Sequence, residues 1–170
     1  FAKKYKGKFL VRIEDTDIER SKKEYTKQII RSLSWLGLEY DEKPIYQSKR
    51  LDRYNQIIQS LLLSGNAYKC FCSKEELANS REASSNFSYS KTCRNRDTDA
   101  FKKTDPFTVR IKVSSASAIQ FKDKIYSSIS VAGDEIDDFI IARTDGSPTY
   151  NLVVVVDDYD MNISHIIRGE

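Results

Sequence analysis

Residues 9–17 read FLVRIEDTD, an apolar segment that runs directly into a cluster of acids. Phe9, Val11 and Ile13 are separated by single residues, so they share one face of an extended chain. This period of two predicts a β-strand over residues 9–14. In parallel α/β sheets ligands bind beyond the carboxyl ends of strands, so the acids that follow are candidate site residues.

Two helical patterns follow this strand, and the order strand, helix, helix favours an α/β domain. The first opens with a capping box, Ser21-Lys22-Lys23-Glu24, in which the Ser hydroxyl and the Glu carboxylate each accept the other residue's backbone N–H. It ends at Gly37, whose lack of a side chain suits a helix C-terminus. The second pattern begins after Ser48 and ends at Gly65. The apolar face of the first helix holds Tyr25, Ile29, Leu33 and Leu36.

The acids at the end of the strand, Glu14, Asp15 and Asp17, are open to three interpretations. Carboxylates placed close together can bind a divalent metal. They can also recognise a cationic group through charge-assisted hydrogen bonds. Equally, they can cap the next helix or pair with Arg12 and Arg20, which is a structural role. The residue pattern alone leaves all three open.

The composition of the chain changes near Tyr68. Residues 79–105 are rich in Ser, Asn and charge and show little periodicity, which predicts a loop or an insertion. High β-propensity predicts strands over residues 152–156 and 163–169. The layout is an α/β domain interrupted by a β-rich insertion at residues 68–146. Within the insertion, strands are predicted at residues 107–113, 118–122, 125–131 and 139–143.

Composition and charge exclude several classes of protein. The 170 residues carry 28 Lys and Arg against 25 Asp and Glu, a net charge of +3 that permits nucleic-acid contact without implying it. No segment approaches the roughly 18 uncharged apolar residues of a membrane span, so we expect no membrane partner. An odd count of three cysteines argues against a disulfide framework. With no secretory signal among the first residues, these features predict a cytoplasmic globular protein.

Five blocks of the sequence together resemble glutamyl-tRNA synthetases. The first is FLVRIEDTD at residues 9–17, followed by Arg20. The resemblance covers nearly the whole chain, and it implies an α/β fold: part of a Rossmann-like class I synthetase catalytic domain with an inserted α+β acceptor-binding domain. The other blocks occur in the family's order: SWLGLEYD (34–41), QSKRLDRY (47–54), DGSPTYNLVVVVDD (145–158) and HIIRGE (165–170).

The resemblance divides the chain into three parts. Residues 1–67 would be the first part of the catalytic domain, residues 68–146 the acceptor-stem-binding insertion, and residues 147–170 the return to the catalytic domain. It implies a helix at residues 147–158, against the local β-propensity, and we expect the helix. The ATP-binding HIGH-type and KMSKS-type motifs and the anticodon-binding domain are expected outside these residues. The isolated chain is therefore expected to be inactive.

The activity that the resemblance implies is that of a glutamate–tRNA ligase. Such an enzyme uses ATP with Mg²⁺ to convert L-glutamate to glutamyl-adenylate. It then transfers the acyl group to the terminal adenosine of tRNA(Glu). The expected partners are therefore tRNA(Glu), L-glutamate and ATP, and the expected state is a cytoplasmic monomer.

The resemblance also implies roles for individual residues. Glu14 would bind the α-amino group of the substrate glutamate, which suits a carboxylate at a strand end. Arg168 would hold the side-chain carboxylate, because a guanidinium can meet two oxygens at once and stays charged. Tyr150 would line the same glutamate pocket. Asp17 and Arg20 would contact the acceptor end of the tRNA.

Three cysteines are candidate metal ligands. Zinc favours tetrahedral thiolate sites, but its close ligand pairs are usually two to four residues apart, and one residue separates Cys70 from Cys72. Three reduced core thiols are the alternative. Some relatives in the resembled family carry zinc in this insertion through Cys-x-Cys and Tyr-x-x-x-Cys. The resemblance therefore implies a structural Zn²⁺ held by Cys70, Cys72, Tyr89 and Cys93.

Three other functions compete with this interpretation. The nearest is a short paralogue of the same family, a glutamyl-queuosine tRNA synthetase, which glutamylates a modified tRNA base. A second is a haloacid-dehalogenase-like phosphatase, in which Asp15 and Asp17 would act around magnesium. The Gly and Thr that normally follow that acid pair are missing here. A third is a module that binds RNA without catalysis.

Overall fold

The computed structural model describes residues 1–16, 21–82, 89–96, 101–102 and 104–167. The chain divides into two compact units, Phe1–Arg53 and Tyr54–Glu170. This division does not test the domain boundaries predicted after residues 67 and 146, which stay predictions. None of the described helices is long and apolar enough to cross a membrane.

The first unit is built on a short parallel strand pair. Strand β1, Arg12–Ile13, pairs with β2, Ile45–Tyr46, so that Arg12 lies opposite Ile45. The predicted strand at residues 9–14 is thus correct in position, but only two of its residues enter the ladder. The preceding residues stay near the same partner segment, because the backbone N–H of Asp41 donates to Phe9 O at 2.9 Å.

In the chain, helix α1, Lys23–Trp35, comes after β1 and before β2. Its predicted capping box is wrong, because the N-cap is Lys22 and no side chain caps the helix. Ser21 stands one residue before that position. At the other end the prediction is correct: Gly37 has φ +70°, and its N–H donates to Ser34 O at 2.9 Å. The apolar face of α1 is not buried, since none of its residues is.

The second unit contains a three-stranded antiparallel sheet and a separate hairpin. Strand β3, Ala67–Cys70, pairs with β4, Thr108–Ile111, which is the central strand of the sheet. Strands β5, Ile119–Asp123, and β6, Ser127–Val131, form the hairpin. Strand β7, Ile140–Ala142, completes the sheet on the other side of β4. The four strands predicted between residues 107 and 143 are all confirmed.

Three helices complete this unit or lead into it: α2, Leu51–Leu63; α3, Lys74–Glu82; and α4, Tyr150–Asp160. Helix α3 carries a capping box that the sequence analysis missed. Ser73 N–H donates to Glu76 Oε2 at 2.7 Å, and Glu76 N–H donates to Ser73 Oγ at 3.1 Å. The predicted loop at residues 79–105 therefore begins inside a capped helix.

Helix α4 settles the conflict over residues 152–156 in favour of the helix. Leu152, Val153, Val156 and Asp157 recur at helical spacing and are buried. Burying this face against β7 and the N-terminal part of α2 outweighs the modest β-propensity of valine. The Tyr54 hydroxyl lies 3.0 Å from both carboxylate oxygens of Asp157, so a buried hydrogen bond ties α2 to α4.

The strand predicted at residues 163–169 is not present in its described part. Residues 163–167 are irregular, and Ile166 and Ile167 are 70% and 79% exposed. Residues 163–167 pair with none of the described strands. A lone strand would leave its backbone N–H and C=O groups without hydrogen bonds, which is why the apolar pattern alone does not produce a strand.

Candidate functional sites

The three cysteines converge at one end of the antiparallel sheet. Cys70 is the last residue of β3, and Cys72 comes two positions later. Cys93 lies in a short 3₁₀ turn, Thr92–Arg94. Their sulfur atoms all lie within 4.8 Å of one another, and the Cys72 and Cys93 sulfurs are 3.4 Å apart. A tetrahedral zinc with bonds of about 2.3 Å spaces its sulfurs roughly 3.8 Å apart. The cluster is therefore close to the size that a zinc ion requires.

Tyr89 brings a fourth donor to the same place. Its hydroxyl oxygen lies 3.4 Å from the Cys70 sulfur and 3.5 Å from the Cys72 sulfur. The backbone N–H of Cys93 donates to this oxygen at 3.0 Å, which fixes the phenol against the turn. The structure thus brings together all four residues of the predicted ligand set. Cys70, Cys93 and Tyr89 are buried and Cys72 is half-buried, so protein donors surround the centre.

Burial and mutual hydrogen bonds shift the pKa values of this cluster in opposite directions. Burial raises the pKa of the Cys72 thiol to about 12. Burial also opposes ionisation of Cys93, but hydrogen bonds from Phe71 N–H, Tyr89, Cys72 and Arg96 lower its pKa to about 7. Burial and the hydrogen bonds with Cys70 and Cys72 raise the pKa of Tyr89. A bound metal would have to displace protons from the cluster, so its affinity would rise with pH.

A buried carboxylate behind the cluster holds the surrounding segments in place. Asp138 is fully buried and accepts hydrogen bonds from Tyr68 Oη at 2.7 Å, Val113 N–H at 3.0 Å and Arg94 Nε at 2.8 Å. Arg94 Nη2 also donates to it, which makes the pair bidentate. Burial acts to raise the pKa of Asp138, but these donors hold it below its ordinary value of 3.8.

The neighbouring acid, Asp137, supports the fourth donor. Its Oδ2 accepts the backbone N–H of Tyr89 at 3.2 Å. Sequence reasoning missed the role of both aspartates, because an acid pair directly before an apolar strand is usually a solvated turn. The available sequence signal was two adjacent acids directly before an apolar strand, together with an arginine directly after Cys93.

Glu14 lies in the first unit, directly after β1. Its side chain is exposed, and Arg12 Nη2 donates to its Oε1 at 3.3 Å. Asp15 is used differently, because it accepts Ser48 N–H at 2.8 Å and Ser48 Oγ–H at 2.7 Å. Of the two described acids, Asp15 has the structural role and Glu14 presents its carboxylate to solvent.

Tyr150 lies in the second unit as the first residue of α4. Its side chain is 56% exposed, and the preceding Thr149 fastens the helix start by donating from Oγ1 to Ile140 O at 2.8 Å. The remaining predicted site residues, Asp17, Arg20 and Arg168, lie outside the described residues.

Comparison with known proteins identifies the class to which this fold belongs. The family model described as tRNA synthetases class I (E and Q), catalytic domain, matches residues 1–170. The chain belongs to this family, and its mixed helices and strands are those of a class I synthetase catalytic domain.

The proteins to which this chain is similar include glutamate–tRNA ligases. The chain is 46% identical, over an alignment of 186 positions, to glutamate–tRNA ligase 2 of Caldicellulosiruptor saccharolyticus, covering all of this chain and 39% of that protein. It is similar to the crystal structure of a glutamate tRNA ligase from Elizabethkingia meningosepticum in complex with its amino acid. That match has a TM-score of 0.82 and 30% identity, and covers 100% of this chain and 38% of the other.

A second solved structure agrees. The glutamate-tRNA synthetase of Elizabethkingia anophelis matches with a TM-score of 0.82 and 30% identity, over 100% of this chain and 39% of that chain. The chain therefore spans about two fifths of the length of these relatives. Among the predicted functions, these matches support a synthetase over a phosphatase.

Proposed function

We propose that this chain is part of a glutamate–tRNA ligase that activates glutamate with ATP and Mg²⁺ and transfers it to tRNA(Glu). The observation that carries the proposal is the 46% identity, over the whole chain, to a glutamate–tRNA ligase. In this reaction the α-carboxylate of glutamate attacks the α-phosphate of ATP and releases pyrophosphate. A ribose hydroxyl of the terminal adenosine then attacks the acyl carbon and releases AMP.

Glu14 is the proposed ligand of the substrate's α-amino group. An exposed carboxylate at the end of a strand can accept a charge-assisted hydrogen bond from an ammonium. The contact from Arg12 supports the role, because it restrains the carboxylate before substrate arrives. By resemblance, Arg168 holds the substrate's side-chain carboxylate, Tyr150 lines the pocket, and Asp17 and Arg20 contact the acceptor end of the tRNA.

The test of the activity uses the complete gene product rather than these 170 residues. Charging of tRNA(Glu) with labelled glutamate should require ATP. Glu14→Gln should raise the KM for glutamate by roughly 10- to 150-fold, because a hydrogen bond between charged groups contributes about 1.5–3 kcal/mol. Glu42→Gln is the matched control, since Glu42 is an exposed acid in the same unit that pairs with the exposed Lys8.

The outcomes separate two claims. If the wild-type protein charges no tRNA, the proposed activity is wrong. If it charges tRNA and Glu14→Gln leaves the KM for glutamate unchanged, only the role of Glu14 is wrong. A tRNA lacking its terminal adenosine tests the paralogue, because an enzyme that glutamylates a base in the tRNA would still use it.

Residues 68–146 are proposed to bind the acceptor stem, between catalytic-domain parts at residues 1–67 and 147–170. Support comes from the antiparallel sheet and the hairpin, which lie within this range except for Ala67 and differ from the parallel pair of the first unit. The protein is proposed to act as a cytoplasmic monomer. Free thiols at all three cysteines are typical of a reducing compartment, and light scattering on the complete protein would measure its oligomeric state.

A structural Zn²⁺ is proposed at Cys70, Cys72, Tyr89 and Cys93. The clustering of three sulfurs and a phenol oxygen supports it, since soft thiolates select zinc and four protein donors leave no position open for chemistry. Elemental analysis should find one zinc per chain and none after Cys93→Ser. Zinc-free protein with three reactive thiols would indicate a cluster of core cysteines instead.

A further inference from the structure

Arg110, on the central strand β4, is a buried cation directly beside the candidate metal centre. Its side chain is 3% exposed, and its guanidinium carbon lies 3.8 Å from the centroid of the Tyr89 ring. Its Nη1 donates to the backbone carbonyl of Asp138 at 2.7 Å. Its Nε is buried and has no hydrogen-bond partner among the described residues.

The charge of Arg110 is not neutralised by the nearby acid. Both carboxylate oxygens of Asp138 accept from Arg94, and Tyr68 and Val113 supply further donors. Among the ion pairs of the described residues, none involves Arg110. Burying a guanidinium is costly unless a negative charge lies close to it. The other described acid near the Tyr89 backbone is Asp137, whose Oδ2 accepts the Tyr89 N–H. A further negative charge beside Arg110 would stabilise its buried guanidinium.

A loaded metal centre would supply that charge. Three thiolates around one divalent cation leave one net negative charge, and a phenolate ligand adds a second. Tyr89 joins the two groups, because its hydroxyl faces the sulfurs of Cys70 and Cys72 while its ring faces the guanidinium. A cation over an aromatic ring is held by the electrons of the ring, and an anionic phenolate strengthens that attraction.

We propose that Arg110 positions Tyr89 as the fourth ligand of the metal centre, as the buried counter-charge of the Tyr89 phenolate. The proposal rests on the zinc site proposed above. Arg110 is a positioning residue, since it acts on the metal through Tyr89. The exposed Arg96, which contacts Cys93, cannot replace it, because water screens an exposed charge.

The experiment measures metal affinity and ligand geometry in the complete protein. Zn²⁺ affinity is obtained by competition with a chromophoric chelator, and the ligand set by the absorption spectrum of the Co²⁺-substituted protein. Arg110→Met should weaken Zn²⁺ binding about 10- to 100-fold, as for other residues that orient metal ligands. Its Co²⁺ spectrum should match that of Tyr89→Phe. Arg143→Met is the control, because Arg143 is an exposed arginine whose side chain donates to Ser147 and Pro148.

A double-mutant cycle separates positioning from a general structural role. If Arg110 acts through Tyr89, Arg110→Met should cost little further affinity once Tyr89 is already Phe. If the two losses multiply independently, or if Arg110→Met keeps the wild-type affinity and spectrum, the proposal is wrong. Wild-type protein that binds no zinc would overturn the metal site itself, and this inference with it.

A conservative variant keeps the test decisive if Arg110→Met fails to fold. Arg110→Lys keeps the charge but loses the flat stacking of the guanidinium on the ring. It should retain one zinc per chain with an affinity between those of wild type and Tyr89→Phe. Its Co²⁺ spectrum should move toward that of Tyr89→Phe, and an unchanged spectrum would refute the positioning role.

Discussion

Asp138 is the residue that connects the segments around the candidate metal centre. It accepts from Tyr68 on β3, from Arg94 beside Cys93 and from Val113 after β4, while its carbonyl accepts from Arg110. A buried carboxylate of this kind is stable only because every oxygen has partners. Removing it would leave the donors, one of them a cation, without an acceptor.

Asp138→Ala should lower the free energy of unfolding by about 3–5 kcal/mol, because it breaks a buried ion pair from one side. Asp134→Asn, an exposed acid in the same loop, should have little effect. Urea denaturation of both variants measures the difference. Equal stability of the Asp138 variant and wild type would show that the network contributes nothing.

The lowered pKa of Asp138 predicts that the stability of the protein depends on pH. The folded-state pKa of Asp138 lies below 3.8, the ordinary value expected for the unfolded chain. Its contribution is therefore complete above pH 3.8 and is lost as the pH falls through the folded pKa. Urea midpoints measured downward from pH 5 should fall more steeply for wild type than for Asp138→Asn. Parallel curves would contradict the assignment.

At the scale of elements, the β5–β6 hairpin is closed at its base by a close backbone approach. A Cβ on Gly133, after β6, would collide with Ser114 O and lie 2.6 Å from Ser117 O, in the segment before β5. The backbone conformation of Gly133 is ordinary, so the glycine is needed for space. Any side chain at this position must push the two ends of the hairpin apart.

Gly133→Ala should therefore cost about 1–3 kcal/mol of stability, the range typical of overpacking. Gly7→Ala is the matched control, because the nearest atoms to its added Cβ are 3.8 Å away. Thermal unfolding of both variants gives the comparison. A Gly133 variant as stable as the Gly7 variant would mean that the hairpin base moves freely.

At the scale of the whole molecule, the candidate metal centre brings together segments that are distant in sequence. Cys72 and Cys93 are 21 positions apart, yet their sulfurs are in contact. A metal that bridges them binds the folded state and has no preformed site in the unfolded chain. Metal binding should therefore contribute directly to the stability of the second unit.

Removal of the metal with a strong chelator should lower the Tm of the complete protein. A metal held at a hundred times its Kd adds about 2.7 kcal/mol, which corresponds to roughly 5–10 °C for a domain of this size. Added Zn²⁺ should restore the Tm and Mg²⁺ should not, because magnesium prefers oxygen ligands. Calorimetry with and without chelator provides the measurement, and coincident curves would contradict it.

Local patterns in this sequence predict some elements and misplace others. Ser21-x-x-Glu24 and Ser73-x-x-Glu76 are the same capping pattern, but only the second forms. The pattern shows which side chains could cap a helix, but α1 begins one residue later than the pattern predicts, with Lys22 as its N-cap. The valine-rich segment of α4 shows the same limit, since burial of one face decided for the helix.

The sequence by itself determined the family, through five ordered blocks, and it predicted the four candidate metal ligands through their resemblance to the Cys-x-Cys and Tyr-x-x-x-Cys spacing. Only the tertiary structure revealed Asp138 and Arg110 behind those ligands. Each of these residues acts through segments remote in the chain, and burial of a charge depends on which segments converge around it. Spacing along the sequence determines which nearby residues can lie close together. Which charges come to lie beside them depends on how the strands of the sheet assemble.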